Sequence, residues 1–266
     1  MPTLSRKYEI RRAFDRAAAT YDTAARVQRE AAAHLSAFAP TPAEPVHCVL
    51  DAGCGTGHAL PGLAARFPQA RRIALDFSPA MLARARAFDA LPLCADIEYL
   101  PLADATVDLY WSSLALQWCD PARALAEAAR VLKPGGAAWI ATLGPRTLHE
   151  LRTAFAAVDG DVHVIDFAAI AHWLAIAEAS GLVVEAHGQM LLCEIAADLR
   201  ALLGNIKAIG AHTVGEKRRR RTLGRRGWQI LQSAYEAFRR PGGALPATYD
   251  LILLALRKPA CFNPRS

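Results

Sequence analysis

The chain has 266 residues, of which 53% are hydrophobic and 21% are charged, and its formal net charge is +6. This length can bury one sizeable core with an appended subdomain, and the composition is not that of a disordered chain. No apolar run reaches the roughly 20 residues that a membrane span needs, and the charged N-terminus lacks the apolar centre of a signal peptide. We therefore expect no membrane partner.

The six cysteines do not form a metal-binding pattern. None belongs to a CxxC pair, and no group of cysteine and histidine residues has the spacing of zinc ligands. Small buried thiols of this kind are typical of proteins in a reducing compartment. We expect a cytoplasmic protein without a metal cofactor.

The first half of the chain predicts a helical segment followed by alternating strands and helices. Residues 5–38 show apolar residues at helical spacing, and three prolines within residues 39–45 end that pattern. Beyond them, short apolar runs alternate with amphipathic helices. Ser78 is a candidate N-cap for one of these helices, and the turn KPGG, residues 133–136, ends another. The alternation predicts an α/β fold whose largely parallel sheet is covered by helices on both faces.

The alternation loosens after about residue 146. Residues 147–158 and 167–180 favour helices, and the apolar run at 183–195 favours a strand. Residues 195–239 are mainly helical in pattern and contain the most basic segment of the chain. The run YDLILLALRK, residues 249–258, predicts a final buried strand.

A glycine loop follows the first predicted strand, in the stretch VLDAGCGTGHAL. Gly53, Gly55 and Gly57 stand at alternate positions, whereas the dinucleotide fingerprint would need its third glycine where the chain has His58. A phosphate-binding Walker loop would need a GKS or GKT ending, which is missing. Asp51 at the mouth of the loop would repel a pyrophosphate. The loop therefore favours a ligand without phosphate that can carry positive charge.

Two further acidic residues stand at the ends of the next predicted strands. Asp76 follows the second strand, where an acid accepts hydrogen bonds from ribose hydroxyls. Asp96 follows the third strand beside the apolar Ile97, an arrangement that suits an amine next to a flat aromatic base. A glycine turn with a purely structural use is the alternative for the loop alone. The loop and both acids together indicate a nucleoside site.

This combination resembles the class I methyltransferases that use S-adenosylmethionine, closely over about residues 46–145. The resemblance implies a Rossmann-like α/β fold with a central, mostly parallel sheet of seven strands. It implies that Asp51 orients the loop or the amino group of the cofactor and that the three glycines pack against its methionine part. It further implies that Asp76 holds the ribose and that Asp96 with Ile97 contacts the adenine. The product formed from the cofactor would be S-adenosylhomocysteine.

Motifs outside the cofactor loop narrow the resemblance to one family. FDRAAATYD (14–22), IEYLPLADATVDLYWSSLALQWC (97–119), NIKAIGAHTVGE (205–216) and LPATYDLILLALRK (245–258) are similar to the malonyl-acyl-carrier-protein O-methyltransferases of biotin biosynthesis. The resemblance implies methylation of the free carboxylate of a malonyl thioester, an early step toward a pimeloyl ester, and an acidic acyl carrier protein as partner. Residues 155–195 match the family least distinctively.

The same resemblance suggests how the chain is organised. Residues 1–40 would form an N-terminal helical lid, and residues 46–266 the methyltransferase domain. A helical substrate-binding insertion would occupy about residues 195–240, before the last strand.

Several side chains are candidates for the reaction itself. Tyr21 in the lid would shield the sulfonium and orient the carboxylate, and Gln117 with Trp118 would lie near the transferred methyl group. A helix-packing aromatic is the alternative for Tyr21, but we favour function because Phe14 and Tyr21 are seven residues apart and would share a helical face. A plain core residue is the alternative for Trp118. Lys207 and His212 are our candidates for the partner of the malonyl carboxylate, with a solvated lysine and a core histidine as the alternatives. Arg146 is a weaker candidate for the same role.

The segment KRRRRTLGRR, Lys217–Arg226, holds seven basic residues in ten. It is compatible with a solvated helix face, with a carrier-protein docking ridge or with a nucleic-acid patch. No aromatic residue lies between the arginines, which argues against stacking on single strands and makes nucleic acid an unlikely partner. We predict docking of the carrier protein by Arg218, Arg219, Arg220, Arg221 and Arg225.

Two competing functions remain open at this point. A methyltransferase with the same core that acts on a quinone precursor or a small carboxylic acid would not need the arginine run. A non-catalytic nucleic-acid-binding module would show salt-dependent affinity for nucleic acid and no methyl transfer. The intact loop with Asp76 and Asp96 argues against the second of these.

Overall fold

The computed structural model describes residues 4–209 and 223–260, with the side chains of residues 4 and 5 left out. The strands are β1 (Cys48–Ala52), β2 (Arg71–Asp76), β3 (Leu91–Cys94), β4 (Val107–Ser113), β5 (Leu132–Leu143), β6 (Val183–Ala196) and β7 (Leu245–Arg257). The helices are α1 (Leu4–Ala17), α2 (Tyr21–Ala24), α3 (Arg26–Phe38), α4 (Leu60–Arg66), α5 (Pro79–Ala85), α6 (Pro121–Val131), α7 (His149–Ala156), α8 (Ile170–Ala179), α9 (Leu199–Ala208) and α10 (Arg225–Glu236). A short 3₁₀ helix spans Leu116–Trp118.

The strands form one mixed sheet of seven in the order β3-β2-β1-β4-β5-β7-β6. Strands β1 to β5 run parallel to one another, whereas β7 is antiparallel to both β5 and β6. The predicted seven-stranded, mostly parallel sheet is confirmed. The strand order reverses between β1 and β4, and ligands bind at such a switch point, outside the carboxyl ends of the strands.

Helices cover the sheet on both faces because alternate strand residues point to opposite sides. In β7, Leu251 and Leu253 belong to one apolar cluster, while Ile252 and Leu254 belong to the other. Helices α3, α7, α9 and α10 contribute buried residues to the first cluster, and α6 and α8 contribute to the second. Strand β7, which lies between β5 and β6, is therefore buried along nearly its whole length, as its continuous apolar sequence predicts.

The local chain signals have mixed outcomes. The Ser78 hydroxyl accepts a hydrogen bond from the Met81 amide (3.2 Å), which confirms the predicted N-cap of α5. The predicted turn at residues 133–136 is wrong, because these residues belong to β5, where the pairing with β4 is irregular. Residues 5–38 are not one continuous helix, since the helix is interrupted by a turn at residues 18–20 and α2 begins at Tyr21.

In the part of the chain that the structure describes, no helix is both long and apolar enough to cross a bilayer. The division into a lid, a domain and an insertion remains a prediction.

The buried carboxylate of Asp250 in β7 fixes the junction with the end of β5. Asp250 has no solvent exposure and accepts hydrogen bonds from the backbone amide (3.1 Å) and the guanidinium (3.0 Å) of Arg146, and from the Gln189 amide (2.9 Å). A methyl group on Gly144 would lie 2.7 Å from Asp250 Oδ2. This close packing leaves no room for a larger residue at position 144.

We expect Gly144→Ala to lower the free energy of unfolding by about 1–3 kcal/mol, because the added methyl group overpacks this junction. The matched control is Gly62→Ala in α4, where a methyl group meets no atom within 4 Å. That substitution should stabilise the protein by roughly 0.5–1 kcal/mol, since alanine is the better helix former. Urea unfolding midpoints measure both changes. A Gly144→Ala midpoint at or above that of the wild type would contradict the close packing described here.

Candidate functional site

Two adjoining cavities lie at the carboxyl ends of the parallel strands. The inner cavity is enclosed by α1, by the glycine loop after β1, by the ends of β2 and β3, and by residues 113–119. The outer cavity, of about 350 Å³, lies between α2, α3, α7, α9 and β7. Phe14, Tyr21, Leu114 and Trp118 line both cavities and so form the wall between them.

The glycine loop passes close to the segment that follows β4. The amides of Gly53 (2.8 Å) and Cys54 (2.9 Å) both donate to the carbonyl of Leu75. Gly53 has a φ of +82°, and a Cβ there would overlap the Cβ of Ala115. Only glycine meets both conditions. The structure thus places Gly53 and Gly55 on the wall of the inner cavity, with Gly57 (φ +87°) behind them.

Asp76 holds the loop from the end of β2. Its carboxylate accepts hydrogen bonds from the amides of Gly55 (3.0 Å) and Ser78 (2.8 Å), and it lines the inner cavity while almost fully buried. Burial raises the pKa of Asp76 to about 6, and the hydrogen bonds from the backbone amides oppose that rise. Asp76 therefore lies where the sequence analysis places a ribose-binding acid.

Asp51 lies beneath the loop and is not among the residues that line the inner cavity. It is 2% exposed, and its Oδ2 atom has no hydrogen-bond partner among the described residues. Burial, and then the neighbouring charge of Asp76, raise the pKa of Asp51 to about 8. The carboxyl group of Asp51 can therefore be neutral near physiological pH. A cation on the cavity side of the loop would favour its ionised form.

Asp96 and Ile97 line the far end of the inner cavity, together with Lys7 from α1. The Lys7 ammonium forms ion pairs with Asp96 (2.5 Å) and Glu98 (2.9 Å), and the other Asp96 oxygen accepts from the Glu98 amide (3.0 Å). The sequence analysis did not find Lys7. It lies 89 residues from its partner, and nothing in the local pattern of α1 marks it.

Further polar contacts seat the N-terminal helices over the inner cavity. The Ser78 hydroxyl donates to Asp15 (2.6 Å) in α1, and the Thr56 hydroxyl donates to Asp22 (2.6 Å) in α2. Arg84 forms an ion pair with Asp22 as well (3.2 Å). Together with Lys7, these contacts hold residues 7–22 against the glycine loop and the start of α5.

Tyr21, Gln117 and Trp118 come together around the wall between the cavities. The Phe14 and Trp118 rings meet edge to face, with centroids 5.8 Å apart. Burial raises the pKa of Tyr21 above its usual value, and nearby Asp76 adds to the rise. The Gln117 amide donates to the Leu114 carbonyl (2.6 Å), which leaves its buried Oε1 without a partner among the described residues. Phe14 and Tyr21 do not share a helix, but both reach the cavity wall.

The outer cavity is mainly apolar and has few polar groups. Lys207 lines it from the exposed side of α9, as the substrate-site prediction requires. Two further polar residues at this cavity were not predicted. The Tyr249 hydroxyl and the Gln28 Oε1 atom are both buried at the cavity and form no hydrogen bond of ordinary geometry within the described ranges, although the Glu194 carboxylate lies near the Tyr249 hydroxyl. Tyr249 lies in the motif LPATYDL, which indicated only a buried strand.

Several predicted residues fall outside the structural description. His212 and Arg218 to Arg221 lie outside the described residues, so their predicted roles stay predictions.

Arg225 is exposed at the start of α10. Arg146 does not line the outer cavity, and its guanidinium pairs with Asp250, which gives it a structural explanation.

Comparisons with known proteins agree with this architecture. A family model described as "Methyltransferase domain" matches residues 50–140. The malonyl-acyl-carrier-protein O-methyltransferase of Dechloromonas aromatica is 48% identical over 255 residues, which cover 95% of each chain. The biotin biosynthesis bifunctional protein BioHC of Teredinibacter turnerae is 37% identical over 97% of this chain and 48% of its own length.

A solved structure shares the fold at low sequence identity. A Bacillus halodurans protein assigned as a methyltransferase superposes with a TM-score of 0.60 at 19% identity, over 87% of this chain and all of the other. The fold, the cavity at the switch point and the near-full-length similarity agree with one another. The chain is a member of the malonyl-acyl-carrier-protein O-methyltransferase family of class I methyltransferases.

Proposed function

We propose that the protein transfers a methyl group from S-adenosylmethionine to the free carboxylate of a malonyl thioester on acyl carrier protein, in the early part of biotin biosynthesis. The observation that carries the proposal is the shared wall of Phe14, Tyr21, Leu114 and Trp118 between two cavities. A donor in the inner cavity and an acceptor in the outer one would meet at that wall. Relatives at 48% and 37% identity carry names that match this reaction and this pathway.

The inner cavity fits S-adenosylmethionine by the order of its strands. Asp96 and Ile97 follow β3, Asp76 ends β2, and the glycine loop follows β1, so adenine, ribose and amino-acid portions would lie side by side along the sheet edge. The buried Oδ2 of Asp51 lacks a hydrogen-bond partner among the described residues. Asp51 lies beneath the loop, and the ammonium would lie above it, on the cavity side. The absent Cβ at Gly53 lets the loop pack against Ala115.

The donor supplies a methyl group on a sulfonium, whose sulfur leaves as a neutral thioether. The carboxylate oxygen forms a bond to the methyl carbon as the carbon–sulfur bond breaks, and no proton moves. No general base is needed, because a carboxyl group is already ionised at neutral pH. The tasks left to the protein are alignment of the three atoms and exclusion of water. Tyr21 and Trp118 are the rings at the point of transfer, and Gln117 lies next to them.

The outer cavity supplies donors for the acceptor carboxylate. The Lys207 ammonium lies at its exposed side, and the Tyr249 hydroxyl lies in its buried part. That hydroxyl forms no hydrogen bond of ordinary geometry with Glu194 or another described residue, and a ligand oxygen would complete its hydrogen bonding. His212 stays a further candidate for this role.

The N-terminal helices act as the lid in this proposal, since Lys7, Phe14 and Tyr21 close the inner cavity. The carrier protein would dock on the basic residues near the outer cavity. Arg225 at the start of α10 is exposed as docking requires, and Leu223, two residues earlier, lines the outer cavity. An acidic carrier protein would be steered to such a surface.

The direct test is transfer of labelled methyl from S-adenosylmethionine to malonyl-carrier protein, with acetyl-carrier protein, malonyl-coenzyme A and free malonate in parallel. We expect base-labile label on malonyl-carrier protein and none on the acetyl form, because only the malonyl group has a free carboxylate. Preferred labelling of free malonate or of a quinone precursor would instead support the alternative acceptors. The relatives' names do not favour that alternative.

We expect Asp76→Ala to weaken S-adenosylmethionine binding by more than about tenfold, because it removes the ribose acceptor and frees the Gly55 amide. Affinity for the wild type should also fall as the pH drops through about 6, where Asp76 takes up a proton and loses its capacity as an acceptor. Isothermal titration calorimetry measures both effects. Asp104→Ala is the control, since Asp104 is an exposed acid paired with Arg130, away from both cavities. Unchanged affinity in Asp76→Ala would refute the ribose assignment.

We expect Tyr249→Phe to raise the KM for malonyl-carrier protein by about 10- to 100-fold and to leave S-adenosylmethionine affinity unchanged. The substitution removes one hydrogen bond to a charged group, worth about 1.5–3 kcal/mol, without changing the ring. Tyr8→Phe on the exposed side of α1 is the matched control and should change neither value. If the KM stays at the wild-type value, the Tyr249 hydroxyl does not bind the acceptor.

A further inference from the structure

His58 directly follows the glycine loop and faces the inner cavity. Its side chain lines that cavity beside Gly55 and Tyr21. Both of its ring nitrogens are buried, and neither forms a hydrogen bond of ordinary geometry within residues 4–209 and 223–260, although the main-chain carbonyl of Gln28 lies near the ring. A neutral imidazole normally uses one nitrogen as a donor and the other as an acceptor. Gln28 can engage one of the two nitrogens, so the other is left for a bound molecule.

The strand order identifies which part of the donor lies beside His58. In the proposed arrangement the adenine lies at the end of β3 and the ribose at the end of β2, so the amino-acid end falls at β1 and its loop, which His58 directly follows. That end of the donor carries an ammonium and a carboxylate. Asp51 beneath the same loop is the acid suited to the ammonium. The carboxylate needs a hydrogen-bond donor or a cation.

Two of the described side chains that line the inner cavity can carry positive charge, and they are Lys7 and His58. Lys7 is engaged at the adenine end, in ion pairs with Asp96 and Glu98. His58 is therefore the group with the position for the carboxylate, and its protonated ring has a nitrogen donor beyond the one that can face Gln28.

We propose that His58 binds the carboxylate of the amino-acid portion of the methyl donor. This inference rests on the proposed function only in taking S-adenosylmethionine as the donor, and it does not depend on the identity of the acceptor. It also gives a purpose to the departure from the dinucleotide fingerprint, because a glycine at position 58 would leave that carboxylate without a side-chain partner.

The surroundings of His58 predict a change of protonation on binding. Burial lowers the pKa of His58, and Arg29 in α3 lowers it further, whereas Asp22 in α2 and the main chain of Gln28 oppose that change. The unliganded imidazole is therefore neutral at neutral pH. A carboxylate beside it favours the protonated ring, so binding of the donor should draw a proton onto His58. Asp51 would release a proton to solvent when the ammonium binds, so the proton taken up by His58 is isolated by comparing variants.

The experiment compares two ligands that differ only in the carboxylate. Affinities of S-adenosylmethionine and of decarboxylated S-adenosylmethionine are measured by calorimetry for the wild type, His58→Gln and His58→Leu. We expect His58→Leu to weaken S-adenosylmethionine binding by about 10- to 100-fold and to change binding of the decarboxylated ligand by less than about twofold. His58→Gln keeps a donor and should fall between the wild type and His58→Leu.

Controls separate this role from a structural one. His172→Leu alters an exposed histidine on α8 and should leave both affinities unchanged. Calorimetry of the wild type and His58→Gln in two buffers with different ionisation enthalpies should show a smaller net proton uptake in the variant. Equal losses for both ligands would overturn the proposal and assign His58 to loop structure, and unchanged affinities would overturn it as well. A wild type that binds neither ligand would overturn the choice of donor, which the acceptor assay tests separately.

Discussion

The carboxylate of Asp76 is the constraint on which the rest of the site depends. One oxygen fixes the Gly55 amide and with it the glycine loop, and the other fixes the Ser78 amide at the start of α5. The Ser78 hydroxyl then receives the Met81 amide and donates to Asp15 in the first helix. Asp76 and Ser78, which are hydrogen-bonded to each other, thus connect the glycine loop, α5 and α1.

The two cavities divide the problems of recognition and reaction between different parts of the fold. The inner cavity is built from the parallel half of the sheet, which many folds of this type share, and its lining includes the charged groups of Lys7, Asp76 and Asp96. The outer cavity is built from helices around the antiparallel strand β7 and is mainly apolar. Four of the described side chains line both cavities, so a methyl group would pass between them. Acceptor choice can therefore change through the helices without disturbing the loop.

The sequence predicted those features that local pattern determines. Alternating apolar runs and helices gave the parallel sheet, and the acids at strand ends lie at one edge because parallel strands end together. Long-range partners were not predictable in this way. Lys7 and Asp96 are 89 residues apart in the sequence. Tyr249 can be identified as a candidate binding residue only from the cavity that α9 and α3 form beside it.

The local errors have a related cause. The turn signal at residues 133–136 was overridden because the segment continues β5 as an irregularity between the paired residues 132 and 137, where Gly135 and Gly136 exchange backbone hydrogen bonds with Lys258. The break at residues 18–20 follows from tertiary contacts, since α1 and α2 must each reach the cavity wall at Phe14 and Tyr21. Propensity is a weak guide where packing decides the backbone.

The two buried acids give the site an electrostatic cost that a cationic donor offsets. The pKa values of Asp51 and Asp76 are raised from 3.8 to about 8 and about 6, because burial disfavours the charged forms. As the pH rises from about 4, the unfolded chain loses these protons before the folded protein does, so stability is lost across this window. A ligand with an ammonium and a sulfonium would favour the ionised form of both carboxyl groups and would restore that stability. The same charge complementarity disfavours phosphate ligands, which explains in physical terms why this glycine loop does not serve a dinucleotide.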